Sequence, residues 1–174
     1  MIQTNETPLC PYGRVNMPVG KETTVSTQHF LVPIDFSQYA DYALDYAMAL
    51  AKTLQARLTL LHVIHAIPLG VTDMDTALPY SYLQDLEAEI THNMQHYLKR
   101  VQDADLEGDT VVVHGVPFDE IVQMAKTKNV TLIIMGSHGR TGLERLFLGS
   151  VAEKVVRLAP CSVLVARQAA QVPA

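Results

Sequence analysis

Val130–Arg167 reads VTLIIMGSHGRTGLERLFLGSVAEKVVRLAPCSVLVAR, and the reading of this stretch decides the fold. The apolar run VTLIIMG ends in a glycine and passes directly into GSHGRTGLERLFLGS, Gly136–Ser150, which carries four glycines, two serines, two arginines and a histidine. Val151 to Leu158 then has helical spacing. Ser150 and Glu153 form an S-x-x-E capping box before it, Pro160 stops it, and CSVLVAR follows as another strand. Strand, glycine loop, helix, strand is a β-α-β unit with a crossover long enough for parallel pairing.

The same punctuation runs back to His29. HFLVPID predicts a first strand ending at an acidic residue, with Ser37 placed to cap a helix over Gln38 to Leu54. RLTLLHVI, Arg57 to Ile64, is apolar enough to be a strand buried on both faces. A loop containing Pro68, Gly70 and Pro79 leads to a long helix, Tyr80 to Gln102, with Leu83, Leu86, Ile90, Met94, Tyr97 and Val101 on one stripe. DTVVVHG is the third strand, and Pro117 opens the next helix, which has Ile121, Val122 and Ala125 on its apolar face. The expected architecture is α/β: an open, doubly wound, five-stranded parallel sheet with helices on both faces. Ligands of such sheets bind beyond the carboxyl ends of the strands, where the strand order reverses. The glycine loop stands at such an end.

Composition narrows the function classes. The 174 residues suit one domain, and a net charge of −5 without a basic stripe speaks against nucleic acid as a partner. No apolar run reaches the ~18–20 residues of a membrane span, and the first residues lack the charge pattern of a secretory signal. Cys10 and Cys161 show neither disulfide nor zinc spacing, so a reducing, cytoplasmic setting is expected. Residues 1–28 read as a mobile amino-terminal arm or a clasp for a partner subunit, 29–168 as the domain, and 169–174 as a short tail.

Glycines admit close backbone approach, and a helix amino terminus offers unpaired N–H groups, so the loop is suited to phosphate. Gly149 and Ser150 would hold an anion at the last helix, with Gly136 and Gly139 as the opposite wall. The known phosphate loops do not fit. Walker A needs a lysine before Ser150, and the dinucleotide fingerprint belongs after the first strand with G-x-G-x-x-G spacing. A hydrolase elbow needs G-x-S-x-G.

Gly136-x2-Gly139-x9-Gly149-Ser150, followed by VAEKVVRLAPCSVLV, closely resembles the nucleotide-binding signature of the universal stress proteins. VPIDFS resembles the segment that begins that family's fold, and LLHVI resembles its second strand. The resemblance covers His29 to Arg167 and points to the family's ATP-binding branch. It implies strand order 3-2-1-4-5, a homodimer through the last strand, and unidentified protein partners in a stress response. It also implies an adenine nucleotide, ATP with Mg²⁺ as its companion. Asp35 would meet the ribose or reach the metal through water, Pro33 would shape the pocket, and the backbone of Val63 would meet the adenine edge. Met135, Gly136, Ser137 and Gly139 would line ribose and phosphates, with Gly149, Ser150 and Val151 at the helix terminus. The arm is unusual for the family, and Ser162 stands where proline is common.

His138 and Arg140 are candidate phosphate contacts from within the loop; Arg145 ranks with Arg140 below the glycines. Simpler roles stand beside the sharper ones. Asp35 can merely start a turn, Ser150 can serve only as a cap, and Gly142 can simply let the loop bend. His92 and His96 have metal-binding spacing but fall on the solvated face, and His62 reads as a satisfied core histidine. No catalytic base is evident, so ATP turnover is expected to be slow or absent. A hydrolase using Asp35 and His138 and a sensor of AMP or a cyclic nucleotide are the alternatives.

Overall fold

The computed structural model describes residues 28–65, 80–138 and 148–167. The expected amino-terminal arm except its last residue, Gln28, the loop with Pro68, Gly70 and Pro79, the short tail, and Gly139, Arg140, Gly142 and Arg145 lie outside them. Five strands, β1 (His29–Pro33), β2 (Arg57–His65), β3 (Gly108–Gly115), β4 (Leu132–Gly136) and β5 (Ser162–Ala166), alternate with four helices. These are α1 (Gln38–Leu54), α2 (Tyr80–Asp103), α3 (Pro117–Thr127) and α4 (Ser150–Leu158). All strand pairs are parallel and the order is β3-β2-β1-β4-β5, as expected.

Alternation along the strands divides the interior into two layers. Phe30, Val32, Leu58, Leu60 and Ile134 face α1 and α2, whereas Leu31, Leu61, Ile133 and Met135 face α3 and α4. The Ser37 hydroxyl caps α1 by accepting from the Ala40 amide at 3.2 Å, a bond of a type worth ~1 kcal/mol. The buried stripe of α1, which includes Ala40, Ala43, Ala47 and Ala51, is small enough for that helix to lie close on the sheet. α1 ends at Gln55 in the left-handed region, φ 52°.

One local expectation is corrected. Ser150 does not cap α4: it is the first helical residue, and Gly149 is the cap, with no side-chain bond at that end. The cause lies in the loop closure. The Gly149 amide donates to the Ser137 carbonyl at 2.9 Å, and its own carbonyl already accepts from Glu153 at 2.9 Å. The helix therefore begins one residue earlier than the capping box requires.

Candidate functional site

β1 and β4 are neighbours, but the chain leaves them in opposite directions across the sheet, β1 toward β2 and β4 toward β5. Their carboxyl ends therefore open into a crevice of about 680 Å³, within the range of small-molecule sites.

β1 brings Pro33 to the crevice, and the chain beyond it brings Asp35. The Asp35 Oδ1 accepts from the Ser37 amide at 3.1 Å and from the Ser37 hydroxyl at 2.6 Å, so the residue does start a turn while also lining the cavity. Phe36 makes that turn in the left-handed region, φ 63°, which costs a residue with a side chain ~1–2 kcal/mol. Its ring is held against His62, with centroids 4.5 Å apart and planes 28° from parallel, and lies 5.9 Å from the Tyr97 ring.

β2 outlasts β1. The last paired rung is Pro33↔Leu61, closed by the Ile34 amide donating to the Leu61 carbonyl at 2.8 Å. Val63 therefore borders the crevice beyond the end of its neighbour.

Met135, Gly136, Ser137 and His138 supply the wall from β4. Gly136 has a packing reason to be glycine. A Cβ there would meet the Tyr39 Cβ at 2.8 Å and the Tyr39 backbone at 2.9 Å, because the first turn of α1 lies against the end of β4. Ser137 is buried, and its hydroxyl pairs with the His138 Nδ1 at 3.0 Å. The His138 Nε2 is buried with no hydrogen-bond partner among the described residues.

Gly149, Ser150 and Val151 close the far side. With glycine as the cap, the cap residue has no side chain to bond the first-turn amides of α4, and the Ser150 hydroxyl is not spent on capping. Such an end attracts an anion. The described lining contains two carboxylates, Asp35 and Glu89, and neither lysine nor arginine.

The fold thus gathers Pro33, Asp35, Val63, Met135, Gly136, Ser137, His138, Gly149, Ser150 and Val151 on one cavity; Gly139 and Arg140 lie outside the described residues. The sequence reading missed the wall from α2, including Glu89, Ile90 and Asn93, and Pro117 and Ile121 from α3. Ile90 was legible as a core position of α2, but the overhang of that helix across the strand ends is tertiary. His62 is a satisfied buried histidine, as expected, and it also lines the crevice: its Nδ1 lies 2.7 Å from the Ile34 carbonyl. His92 and His96 are exposed with Nε2 atoms 3.1 Å apart. No group of three or more metal-binding side chains forms among the described residues. Likewise, no described helix is long and apolar enough to cross a membrane.

Comparison with known proteins agrees with this architecture. The model of the Universal stress protein family matches residues 26–167. The chain is 33% identical over 160 residues to Universal stress protein MJ0577 of Methanocaldococcus jannaschii, covering 83% of this chain and 98% of that one. It is 33% identical over 143 residues to Universal stress protein YxiE of Bacillus subtilis, covering 79% and 97%. The solved structure of MJ0577 superimposes with a TM-score of 0.71 over 82% of this chain and 98% of its own. A universal stress protein from Archaeoglobus fulgidus, solved in complex with dAMP, shares the fold at 19% identity and a TM-score of 0.57, covering 82% and 99%. With its sheet order, its crevice and these relatives in agreement, the chain belongs to the universal stress protein family.

Proposed function

We propose that this protein binds ATP in the crevice between the carboxyl ends of β1 and β4 and serves as a nucleotide-responsive binding or signalling module in a stress response. The observation that carries the reading is the start of α4, which has a glycine cap and no side-chain cap bond, is tied by Gly149 to Ser137 and lines the same cavity as Asp35. Phosphate oxygens would take the first-turn amides and the Ser150 hydroxyl, with Gly139 and Arg140 contributing from the loop. The buried Nε2 of His138 is a further group that a ligand atom would satisfy. Asp35 would accept from ribose hydroxyls or reach Mg²⁺ through water. The residues suit a metal-nucleotide complex, since a carboxylate and an anion-seeking helix end line the same cavity. Mg²⁺ would supply neutralisation of phosphate charge.

The base would lie along β2, where the backbone of Val63 extends past β1. An N–H and a C=O side by side complement the acceptor N1 and the donor N6 of adenine. They mismatch guanine, whose corresponding edge carries a donor and an acceptor in reverse.

In-line hydrolysis needs a positioned water and stabilisation of charge on the transferred group. The glycine loop is suited to cradling phosphate, but no catalytic base is evident in the sequence, which favours a binding module with slow turnover at most. A cytoplasmic homodimer through β5 with protein partners completes the proposal.

The test is calorimetric titration of nucleotide-stripped protein with ATP and Mg²⁺, with AMP and cAMP as competitors. Saturation near one ATP per chain is the expected result. No ATP binding, with saturable binding of AMP or cAMP, would replace this reading with that of a monophosphate sensor; the dAMP complex on the same fold makes that comparison worth including.

A further inference from the structure

A parallel strand directs the N–H and C=O of alternate residues to the same neighbour. Leu61 turns its pair toward β1, as the 2.8 Å bond from Ile34 to its carbonyl shows, so Val63 turns its pair the same way. If the β1–β2 ladder continued by one rung, the Val63 amide would donate to the Ile34 carbonyl. That bond is not made. The acceptor is occupied instead by the His62 imidazole, whose Nδ1 is 2.7 Å from the Ile34 carbonyl oxygen. A carbonyl only accepts, so Nδ1 carries the proton and donates. The same ring stacks on Phe36 at 4.5 Å, holding the left-handed residue that turns the chain away from β2 immediately after Asp35.

We infer that His62 is a positioning residue that ends the β1–β2 ladder at Leu61 and so leaves the Val63 N–H and C=O to read the base of the bound nucleotide. It does so by taking the next backbone acceptor and by fixing the turn that carries Asp35. The inference rests on the nucleotide reading above, but its geometric half concerns the ligand-free protein and is tested there.

Two variants separate the roles of the ring. His62→Phe keeps an aromatic face for Phe36 and removes the donor; His62→Asn keeps an N–H near the position of Nδ1 and removes the ring. The expected result for His62→Phe is a folded protein in which the preference for ATP over GTP falls by about tenfold, the scale of one hydrogen bond. In His62→Asn most of the preference is retained. A structural role alone would weaken both nucleotides equally and leave their ratio unchanged, which would overturn the inference.

Amide hydrogen exchange of ligand-free protein supplies the independent readout. Val63 is expected to exchange faster than Leu61 in the wild type and to gain protection in His62→Phe. Protection of Val63 at the level of Leu61 in the wild type would overturn the inference whatever the nucleotide data show, and it decides the matter if His62→Phe does not fold. A wild type that binds no nucleotide yet shows the expected exchange pattern would instead remove the nucleotide reading and leave the ladder-ending role standing.

Discussion

Asp35 uses one carboxylate oxygen to hold the Ser37 amide and hydroxyl, and the proposed nucleotide would give the group a second use on the crevice. Asparagine can keep the first and not the second, because its side-chain oxygen still accepts from the Ser37 amide but carries no charge. Asp35→Asn should therefore melt close to the wild type while losing about tenfold in affinity for ATP with Mg²⁺, equivalent to ~1.4 kcal/mol. Calorimetry and a thermal melt check the two halves; unchanged affinity would reduce Asp35 to a turn residue. Gly136 behaves oppositely. A methyl group there meets the Tyr39 backbone at 2.9 Å, so Gly136→Ala should destabilise the fold by about 1–3 kcal/mol in urea titrations. The letters GSHG announced a glycine requirement and placed it correctly at a strand end. They gave ligand approach as its reason, because the passage of α1 over β4 is invisible until the chain is folded.

At the scale of elements, the lower end of the sheet is joined by a polar network that no local pattern announces. His29 on β1 is buried, with Nε2 2.8 Å from the Thr59 hydroxyl and Nδ1 3.1 Å from both the Lys128 carbonyl at the end of α3 and the Arg57 guanidinium, which only donates. The Thr59 hydroxyl donates to Asp109 on β3, and Lys128 pairs with the other Asp109 oxygen at 2.7 Å. These residues meet only through register, Thr59↔Asp109 and the rungs beside it, whereas the elements themselves were legible from apolar spacing. Burial pushes the His29 pKa below 6.5, the backbone bond to Lys128 only partly opposing it. For Asp109, burial pushes upward, but bonds from Lys128 and Thr59 outweigh it and hold the carboxyl below 3.8. Both groups titrate lower in the folded chain than in the unfolded one, so the unfolded chain takes up more protons as pH falls. The histidine contribution is complete above 6.5 and is lost as pH drops through the folded value; that of Asp109 is complete above 3.8 and is lost below it. The urea midpoint of the wild type should accordingly fall between about pH 7.5 and about pH 5, and His29→Phe should show a smaller fall over the same range. An equal fall in both proteins would assign the dependence to other groups.

For the whole molecule the open edge of β5 matters most. β5 pairs with β4 on one side, and among the described residues nothing pairs on the other, although its sequence is SVLVA. Val156 and Leu158 on α4 are 48% and 50% exposed, which adds apolar surface to the element that precedes the edge. An uncovered apolar edge strand is a template for a second strand, and a second copy of the chain is the occupant the family resemblance implies. The backbone identifies a variant that isolates this edge. The Ala166 carbonyl accepts from the Ser137 amide at 3.2 Å, so Ala166 and Leu164 direct their backbone groups to β4, while Val163 and Val165 direct theirs outward. Proline at Val165 removes an outward N–H and leaves the bonds to β4 in place, the position in which an edge strand tolerates proline. Light scattering should give the mass of two chains for the wild type at micromolar concentration and of one for Val165→Pro, with the circular dichroism of the fold retained. A monomeric wild type would remove the dimer from the proposal. A Val165→Pro protein that still dimerises would move the interface off the β5 edge, to the exposed face of α4, without touching the nucleotide site.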